Sequence, residues 1–164
     1  MKKNINIFWF RRDLRLEDNT ALYYALRSTQ AVLPIFIFDR NILDQLEDKK
    51  DRRVQFIYSA ICDIQQKLIK LKASLNVFYS TPIKVFKALV KKYNIEKVFI
   101  NHDYEPYANE RDEALKLFFT QQNIEFSTYK DQVIFEKDEV TKDDGKPYTV
   151  YTPYSKKWKL KLTD

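Results

Sequence analysis

The chain has 164 residues, of which 45% are hydrophobic, so it is long enough and apolar enough to bury the core of one ordinary domain. It carries 29 Lys and Arg against 23 Asp and Glu, a net charge of +6, and the last nine residues, with four Lys and one Asp, supply +3 of it. A single Gly, a single His and a single Cys exclude a glycine-rich phosphate loop, an internal disulfide and a metal centre of clustered His and Cys.

The sequence also predicts where the protein resides. No apolar stretch approaches the length that spans a membrane, and the charges at residues 11–13 end the first apolar run too early for a secretory signal. We therefore predict a cytoplasmic protein with no membrane partner. The basic excess is as typical of a solvated lysine surface as of contact with nucleic acid.

Strand and helix patterns alternate along the chain. The predicted strands are residues 4–10, 32–38, 75–80, 97–101 and either 124–129 or 133–135. The predicted helices cover about 20–27, 53–72, 82–93 and 106–121. Continuous apolar strands are typical of sheets buried on both faces, although Pro34 is unusual inside such a strand. The pattern predicts an α/β fold: a Rossmann-like, doubly wound sheet of about five parallel strands with helices on both faces.

The last thirty residues depart from this rhythm. A turn at residues 143–146 separates two short extended stretches, and Thr152-Pro153 is typical of a helix start. The helix that follows would place Tyr154, Trp158 and Leu162 on one apolar stripe, which must be covered by something.

Two polar segments, residues 9–19 and 102–112, lie at the carboxyl ends of the first and fourth predicted strands. If those strands are neighbours, both segments meet at the edge of the sheet where doubly wound folds bind ligands. We expect the three arginines of the first segment to fix its turn by pairing with nearby acids, that is, Arg11, Arg12 and Arg15 with Asp13, Glu17 and Asp18. His102 is expected to be a structural hydrogen-bonding residue, because no nucleophile accompanies it.

Asn109 and Glu110 lie in the first turns of the helix after Pro106. An amide beside a carboxylate is able to bind the amino and ring N–H edge of a heterocycle. Spacing alone favours a simpler interpretation, in which Glu110 complements the helix dipole and Asn109 is solvated.

Residues 8–22, Phe-Trp-Phe-Arg-Arg-Asp-Leu-Arg-Leu-Glu-Asp-Asn-Thr-Ala-Leu, resemble the opening signature of the DNA photolyase/cryptochrome family. Residues 103–112, with Glu-Pro-Tyr and then Asn-Glu-Arg-Asp, resemble the second landmark of that family, and residues 145–154 resemble a third. The three occur in the family's order and together extend over nearly the whole chain.

This resemblance implies a domain organisation. Residues 1–135 would be the N-terminal α/β domain that carries a light-harvesting antenna chromophore. Residues 136–164 would begin the linker toward a helical domain, absent here, that holds FAD and the DNA-lesion pocket. The parent protein would then be a deoxyribodipyrimidine photolyase, a carbon–carbon lyase acting on damaged DNA, and this chain would be inactive alone.

Two other interpretations stay open. The parent could be a cryptochrome-type blue-light sensor, because the first landmark does not separate the two groups. The chain could instead be a stand-alone nucleotide-binding domain, which would show a complete core and no exposed stripe near Trp158.

The resemblance also implies ligand residues. In members with a folate antenna, the Asn-Glu pair matching Asn109 and Glu110 binds the pterin of 5,10-methenyltetrahydrofolate. Arg53 and Asp103 are secondary candidates, matching positions used by an 8-hydroxy-deazaflavin or FMN antenna, and Asp39, at the end of the second predicted strand, is a third because it lies near the same crevice. No catalytic residue and no metal ligand are expected.

Overall fold

A computed structural model describes residues 2–48 and 50–163, which form two compact units, one up to Asp131 and one from Gln132 onward. The strands of the first unit are β1 Asn4–Phe10, β2 Ala31–Asp39, β3 Asn76–Ser80, β4 Asn94–Asn101 and β5 Glu125–Tyr129. Its helices are α1 Thr20–Leu26, α2 Arg40–Leu43, α3 Arg52–Lys70, α4 Pro82–Lys92 and α5 Pro106–Gln121.

All five strands pair in parallel, in the order β3-β2-β1-β4-β5. The predicted Rossmann-like doubly wound fold is confirmed, and so is the contact between the first and fourth strands. The chain passes from β1 outward to β3 and then returns to β4 on the other side of β1. The strand order therefore reverses between β1 and β4, and this opens a crevice at their carboxyl ends.

The sheet is covered on both faces because side chains alternate along each strand. Ile5, Ile7 and Trp9 of β1 pack with α4 and α5 in one buried cluster. Phe8 and Phe10 pack with α1 and α3 in the other. β1 is thus buried on both faces, which explains its continuous apolar sequence.

Local chemistry fixes where the helices begin. The side chains of Asn19, Asp39 and Asp51 cap α1, α2 and α3 by accepting hydrogen bonds from backbone N–H groups. A proline stands in the first turn of both α4 and α5. Pro34 is tolerated within β2 because the pairing with β3 begins only at Ile35.

The ends of α3 and α5 are closed in the same way. Lys72 and Asn123 adopt positive φ values of 57° and 55°. The following N–H groups, of Ala73 and Ile124, donate back to Leu68 and Phe119 carbonyls at 2.9 Å. This is the arrangement in which glycine is usual, yet a side chain is present at both positions.

The second unit contains a short 3₁₀ turn, Lys137–Glu139, and α6, Tyr151–Thr163. The alternative fifth strand at 133–135 is not formed. Trp158 meets the ring of Phe135 edge-on at 5.6 Å, and Tyr154 meets Tyr148 at 6.1 Å. The predicted stripe is therefore partly covered within its own unit, although Leu162 remains 50% exposed.

No helix among residues 2–48 and 50–163 combines the length and the hydropathy needed to cross a bilayer.

Phe86 offers a test of the core between the sheet and α4. Its fully buried ring contacts Trp9 at 5.4 Å and Phe119 at 4.8 Å, both edge-on. We predict that Phe86→Ala lowers the free energy of unfolding by about 3–5 kcal/mol, because it removes buried area and leaves a cavity. Urea unfolding followed by tryptophan fluorescence measures this change. The control is Leu117→Ala at a 67% exposed position, expected to shift stability by about 0.5 kcal/mol or less; equal losses in the two variants would contradict the packing described.

Candidate functional site

A buried polar network joins the loop after β1 to the end of β4. Its members are Asp13, Asn19 and Asn101, which are 3%, 4% and 2% exposed. The Asn101 side chain donates to Asp13 Oδ2 at 2.5 Å and to Asn19 Oδ1 at 2.9 Å, and it accepts from the Ala21 N–H at 2.9 Å. Asp13 Oδ1 accepts from the Arg11 N–H at 2.8 Å. Because each of these buried groups has partners, the network holds the two polar segments together at low energetic cost.

The arginines after β1 do stabilise the turn, and Arg15 donates to the backbone carbonyl of Asp18, but the predicted carboxylate partners were wrong. Arg11 forms a 2.6 Å ion pair with Asp112 of α5, and Arg12 lies 2.9 Å from Glu105 and 3.5 Å from Asp103. Arg15 pairs with Asp131 at 2.9 Å. Each guanidinium reaches an acid that is distant in sequence, because the parallel sheet brings the ends of β1, β4 and β5 to one edge.

The ionisation of two of these arginines responds to their surroundings in opposite ways. Burial lowers the pKa of Arg11, and the ion pair with Asp112 opposes that shift. A hydrogen bond to Glu105 raises the pKa of the more exposed Arg12. Both guanidiniums remain cationic at neutral pH.

Trp9 lies beside two cations. The guanidinium carbon of Arg11 is 5.5 Å from the centroid of its ring, and that of Arg111 is 4.9 Å away. Both arginines share the carboxylate of Asp112. The indole thus orients two guanidiniums, and one carboxylate balances them from α5.

A cleft of about 680 Å³ opens at the carboxyl ends of β1 and β2, and the segment that follows β4 also lines it. Its apolar walls include Trp9, Phe36, Ile37, Val54 and Ile57, and its polar lining includes Arg12, Asp39, Asn41, Arg53, Asp103, Glu105, Tyr107 and Arg111. This size and this mixture of apolar walls with a few polar groups are typical of sites for small molecules and cofactors.

Asp39 and Tyr107 form the polar centre of the cleft. The Tyr107 hydroxyl donates to Asp39 Oδ2 at 2.5 Å and accepts from the Asn41 side chain at 3.0 Å. Burial, together with the hydrogen bond to Asp39, raises the pKa of Tyr107 to about 12. A protonated phenol therefore links β2 to α5 across the cleft throughout the physiological range.

The three secondary candidates from the sequence all line this cleft. Asp39 is 6% exposed at the end of β2, and the side chain of Asp103 is 9% exposed beside Arg12. Arg53 lies at the rim with its side chain 78% exposed, and it pairs with Asp51 at 2.5 Å. Hydrogen bonds between these two raise the pKa of Arg53 and lower that of Asp51.

Asn109 and Glu110 lie apart from the residues that line the cleft. Both are exposed near the start of α5, and Asn109 makes a long hydrogen bond of 3.4 Å to the Tyr104 carbonyl. The helical repeat explains the separation, because Tyr107 and Arg111, four residues apart, project from one side of α5, whereas Asn109 and Glu110 project elsewhere.

The sequence placed the segments that contain Trp9, Tyr107 and Arg111 at the crevice, but it did not single out these three residues as parts of the site. The spacing of Tyr107 and Arg111, an aromatic and a cation at i and i+4 at the start of a helix, is the signal that indicates a shared face. His102 contacts Thr128 at 3.0 Å, in keeping with the structural role expected of it.

The fold is that of a Rossmann-like α/β domain, with a cleft whose size is typical of ligand sites. The sequence model for DNA photolyase matches residues 6–164, so this chain belongs to the DNA photolyase family. It is 30% identical over 152 residues to the deoxyribodipyrimidine photo-lyase of a Synechococcus species, covering 93% of this chain and 31% of that protein.

Relatives include both branches of the family. Cryptochrome-1 of Erithacus rubecula is 30% identical over 146 residues, covering 88% of this chain and 23% of that protein. The crystal structure of the Sulfolobus tokodaii photolyase, described with two FAD molecules and a novel light-harvesting cofactor, matches with 34% identity and a TM-score of 0.73. That match covers 82% of this chain and 32% of the other. The chain thus spans about a third or less of the length of these three proteins.

The buried network is testable through Asn101. Replacing it with Ala leaves Asp13, Asn19 and the Ala21 N–H without a shared partner, so we predict a loss of at least about 2 kcal/mol in the free energy of unfolding. Chemical denaturation measures the loss. Asn94→Ala on the same strand is the matched control, since that side chain bonds to Asn4 at an exposed site; a similar loss there would contradict the role given to the network.

The raised pKa of Tyr107 predicts that the stability of the fold changes with pH in the alkaline range. Its pKa in the folded protein, about 12, is above the ordinary value of 10.0, so its contribution to stability is complete below pH 10.0 and disappears as the pH rises toward 12. Between these values the stability advantage of the parent chain over Tyr107→Phe should decrease. Unfolding measured at a series of pH values tests this, with Tyr58→Phe at an exposed position as control. A difference that stays constant from pH 10 to 12 would rule out the raised pKa.

Proposed function

We propose that this domain binds a light-harvesting chromophore in the cleft at the carboxyl ends of β1 and β2. The cleft itself is the observation that carries the proposal. Its volume of about 680 Å³ suits a planar, multi-ring molecule, and it lies where doubly wound sheets bind ligands.

The lining residues favour a flavin-type or deazaflavin-type ring system. Ile37, Val54 and Ile57 offer apolar walls for the ring faces. Asp39 is a buried acceptor for a ring N–H, and Tyr107 is a neighbouring phenol held by Asp39. Arg53 at the rim is a cation for a phosphate or carboxylate on the chain attached to the ring. The two FAD molecules of the Sulfolobus tokodaii photolyase support this class of ligand.

A second candidate is 5,10-methenyltetrahydrofolate at Asn109 and Glu110. One observation favours it: the exposed Glu110 carboxylate forms no ion pair within the part of the chain that the structure describes. A solvent-facing acceptor next to an amide would complement the amino and ring N–H edge of a pterin.

The bound chromophore would absorb near-ultraviolet or blue light and pass its excitation to an acceptor by dipole coupling. The part of this chain is then to hold the ring at one orientation and to exclude water. The buried Asp13–Asn19–Asn101 network and the Asp39–Tyr107 hydrogen bond make the cleft walls rigid, which that coupling requires. We propose no bond chemistry and no catalytic residue for the domain.

For the whole protein we propose light-driven repair of pyrimidine dimers, as a deoxyribodipyrimidine photolyase. Residues 1–135 would be the antenna domain, and 136–164 would lead to a helical domain that carries FAD and contacts damaged DNA. The alternative is a cryptochrome-type blue-light sensor, a group that the relatives also include.

Ligand titration tests the proposal and separates the two sites. FMN, an 8-hydroxy-deazaflavin and 5,10-methenyltetrahydrofolate are each titrated into the chain, with binding followed by ligand fluorescence. We expect saturable binding of a flavin or deazaflavin. Asp39→Asn should weaken it about tenfold or more by removing a charge-assisted acceptor, and Glu110→Gln should change it less than about twofold.

The reverse pattern, folate binding that depends on Glu110 and not on Asp39, would assign the antenna to the second site. Absence of saturable binding for all three ligands would contradict the antenna role for this chain.

A further inference from the structure

The outward face of α4 carries an uninterrupted stripe of positive charge. Lys84, Lys87 and Lys91 are exposed and spaced three and four residues apart, so their side chains share one face of the helix. Ala88 is exposed between them. The opposite face is the buried one, with Val85, Phe86 and Leu89 packed on the sheet. We call these three lysines the α4 lysine stripe.

No carboxylate balances the stripe. Residues 82–92 contain four lysines and no Asp or Glu, in a chain that has 23 acids elsewhere. None of the three ammonium groups forms an ion pair within residues 2–48 and 50–163. Lys2 adds a further charge at the end of α4, where its ammonium group donates to the Val90 carbonyl at 2.7 Å.

This arrangement is unfavourable for the isolated helix. Like charges three and four residues apart repel each other by a few tenths of a kcal/mol per pair, whereas an interleaved acid would turn repulsion into attraction. A polyanion lying on the stripe would relieve this repulsion and release its own counterions.

We propose that the α4 lysine stripe is a docking surface for the phosphate backbone of duplex DNA. Lys84 and Lys91 are seven residues apart, about 10 Å along the helix, which corresponds to about three phosphates at 3.4 Å of axial rise each. Lysines on flexible stems contact phosphates without reading bases, so the binding is independent of sequence.

The chemistry of the stripe favours a duplex over two other polyanionic partners. Proteins bind single-stranded nucleic acid with exposed aromatic side chains that stack on the bases. In the described structure α4 exposes no large hydrophobic side chain, aromatic or aliphatic. Interfacial membrane helices insert bulky apolar residues beside their lysines, and here only Ala88 accompanies them. The proposal does not depend on the chromophore, because the stripe shares no residue with the cleft.

The test compares two variants of the full 164-residue chain that have the same net charge. One is Lys84→Gln/Lys87→Gln/Lys91→Gln. The other, the control, is Lys50→Gln/Lys67→Gln/Lys70→Gln, which removes three exposed lysines outside α4. Gln is a good helix former, so both variants should fold, and thermal unfolding by circular dichroism confirms this.

Binding of a short, undamaged, fluorescein-labelled DNA duplex is measured by fluorescence anisotropy between about 50 and 200 mM salt. We expect the α4 variant to lose about tenfold or more in affinity at the lower salt, and the slope of log K against log salt to become shallower by about 2 to 3. The control should retain most of the affinity and the slope of the parent chain.

Equal losses in the two variants would show that binding follows net charge alone and would overturn the proposal. Absence of duplex binding by the parent chain would overturn it as well. A third outcome would also overturn it: the α4 variant loses binding to vesicles that contain anionic lipid but keeps the parent chain's binding to the duplex. None of these outcomes bears on the ligand titrations, so failure here leaves the proposed antenna role intact.

Discussion

The buried contact between Asn101 and Asp13 is the constraint on which the rest of this edge of the sheet depends. β1 and β4 are neighbours in space but are separated by four helices and two strands in sequence. Backbone pairing alone fixes their register and leaves the loops beyond them free. The Asn101 side chain removes that freedom, because it bonds at once to Asp13, to the Asn19 cap and to the first turn of α1. A polar group buried so deeply is stable only when all its partners are in place, so the arrangement is specific.

Once these loops are fixed, the charged side chains beyond them have few alternatives. Arg11 is held with its guanidinium beside both Trp9 and Asp112, and Arg12 faces the acids that follow β4. Positive groups from the first strand thus meet negative groups from the fourth. These charged groups form one part of the cleft lining, and the hydrogen-bonded pair of Asp39 and Tyr107 forms another. A ligand in this position would meet walls that are already ordered, which lowers the entropic cost of binding it.

The sequence predicted the fold well because the alternation of apolar strands and amphipathic helices along the whole chain determines it. β1 and α5 have the predicted bounds, since an apolar run ends in charges in one case and a proline begins the helix in the other. The arginine partners were mispredicted, because the sequence pattern favoured nearby acids whereas the sheet supplies distant ones. The four-residue α2 was not predicted, because it is too short to show the periodic spacing of apolar residues that indicates a helix. It depends instead on the Asp39 cap. The pairing of Tyr107 with Asp39 joins residues 68 positions apart, which no local pattern reveals.

The scarcity of glycine has a consequence for the unfolded chain. Turns that commonly use glycine are made here by Asp18, Lys72, Asn123 and Lys137, each with a positive φ, and each such residue costs about 1 kcal/mol in the folded state. A chain with one glycine in 164 residues also samples fewer backbone conformations when denatured. Strain in the native turns lowers the free energy of unfolding, whereas the restricted denatured ensemble raises it, so the two effects oppose each other. A Lys72→Gly or Asn123→Gly substitution would change both terms at once, so its net effect on stability is smaller than the relief of strain alone.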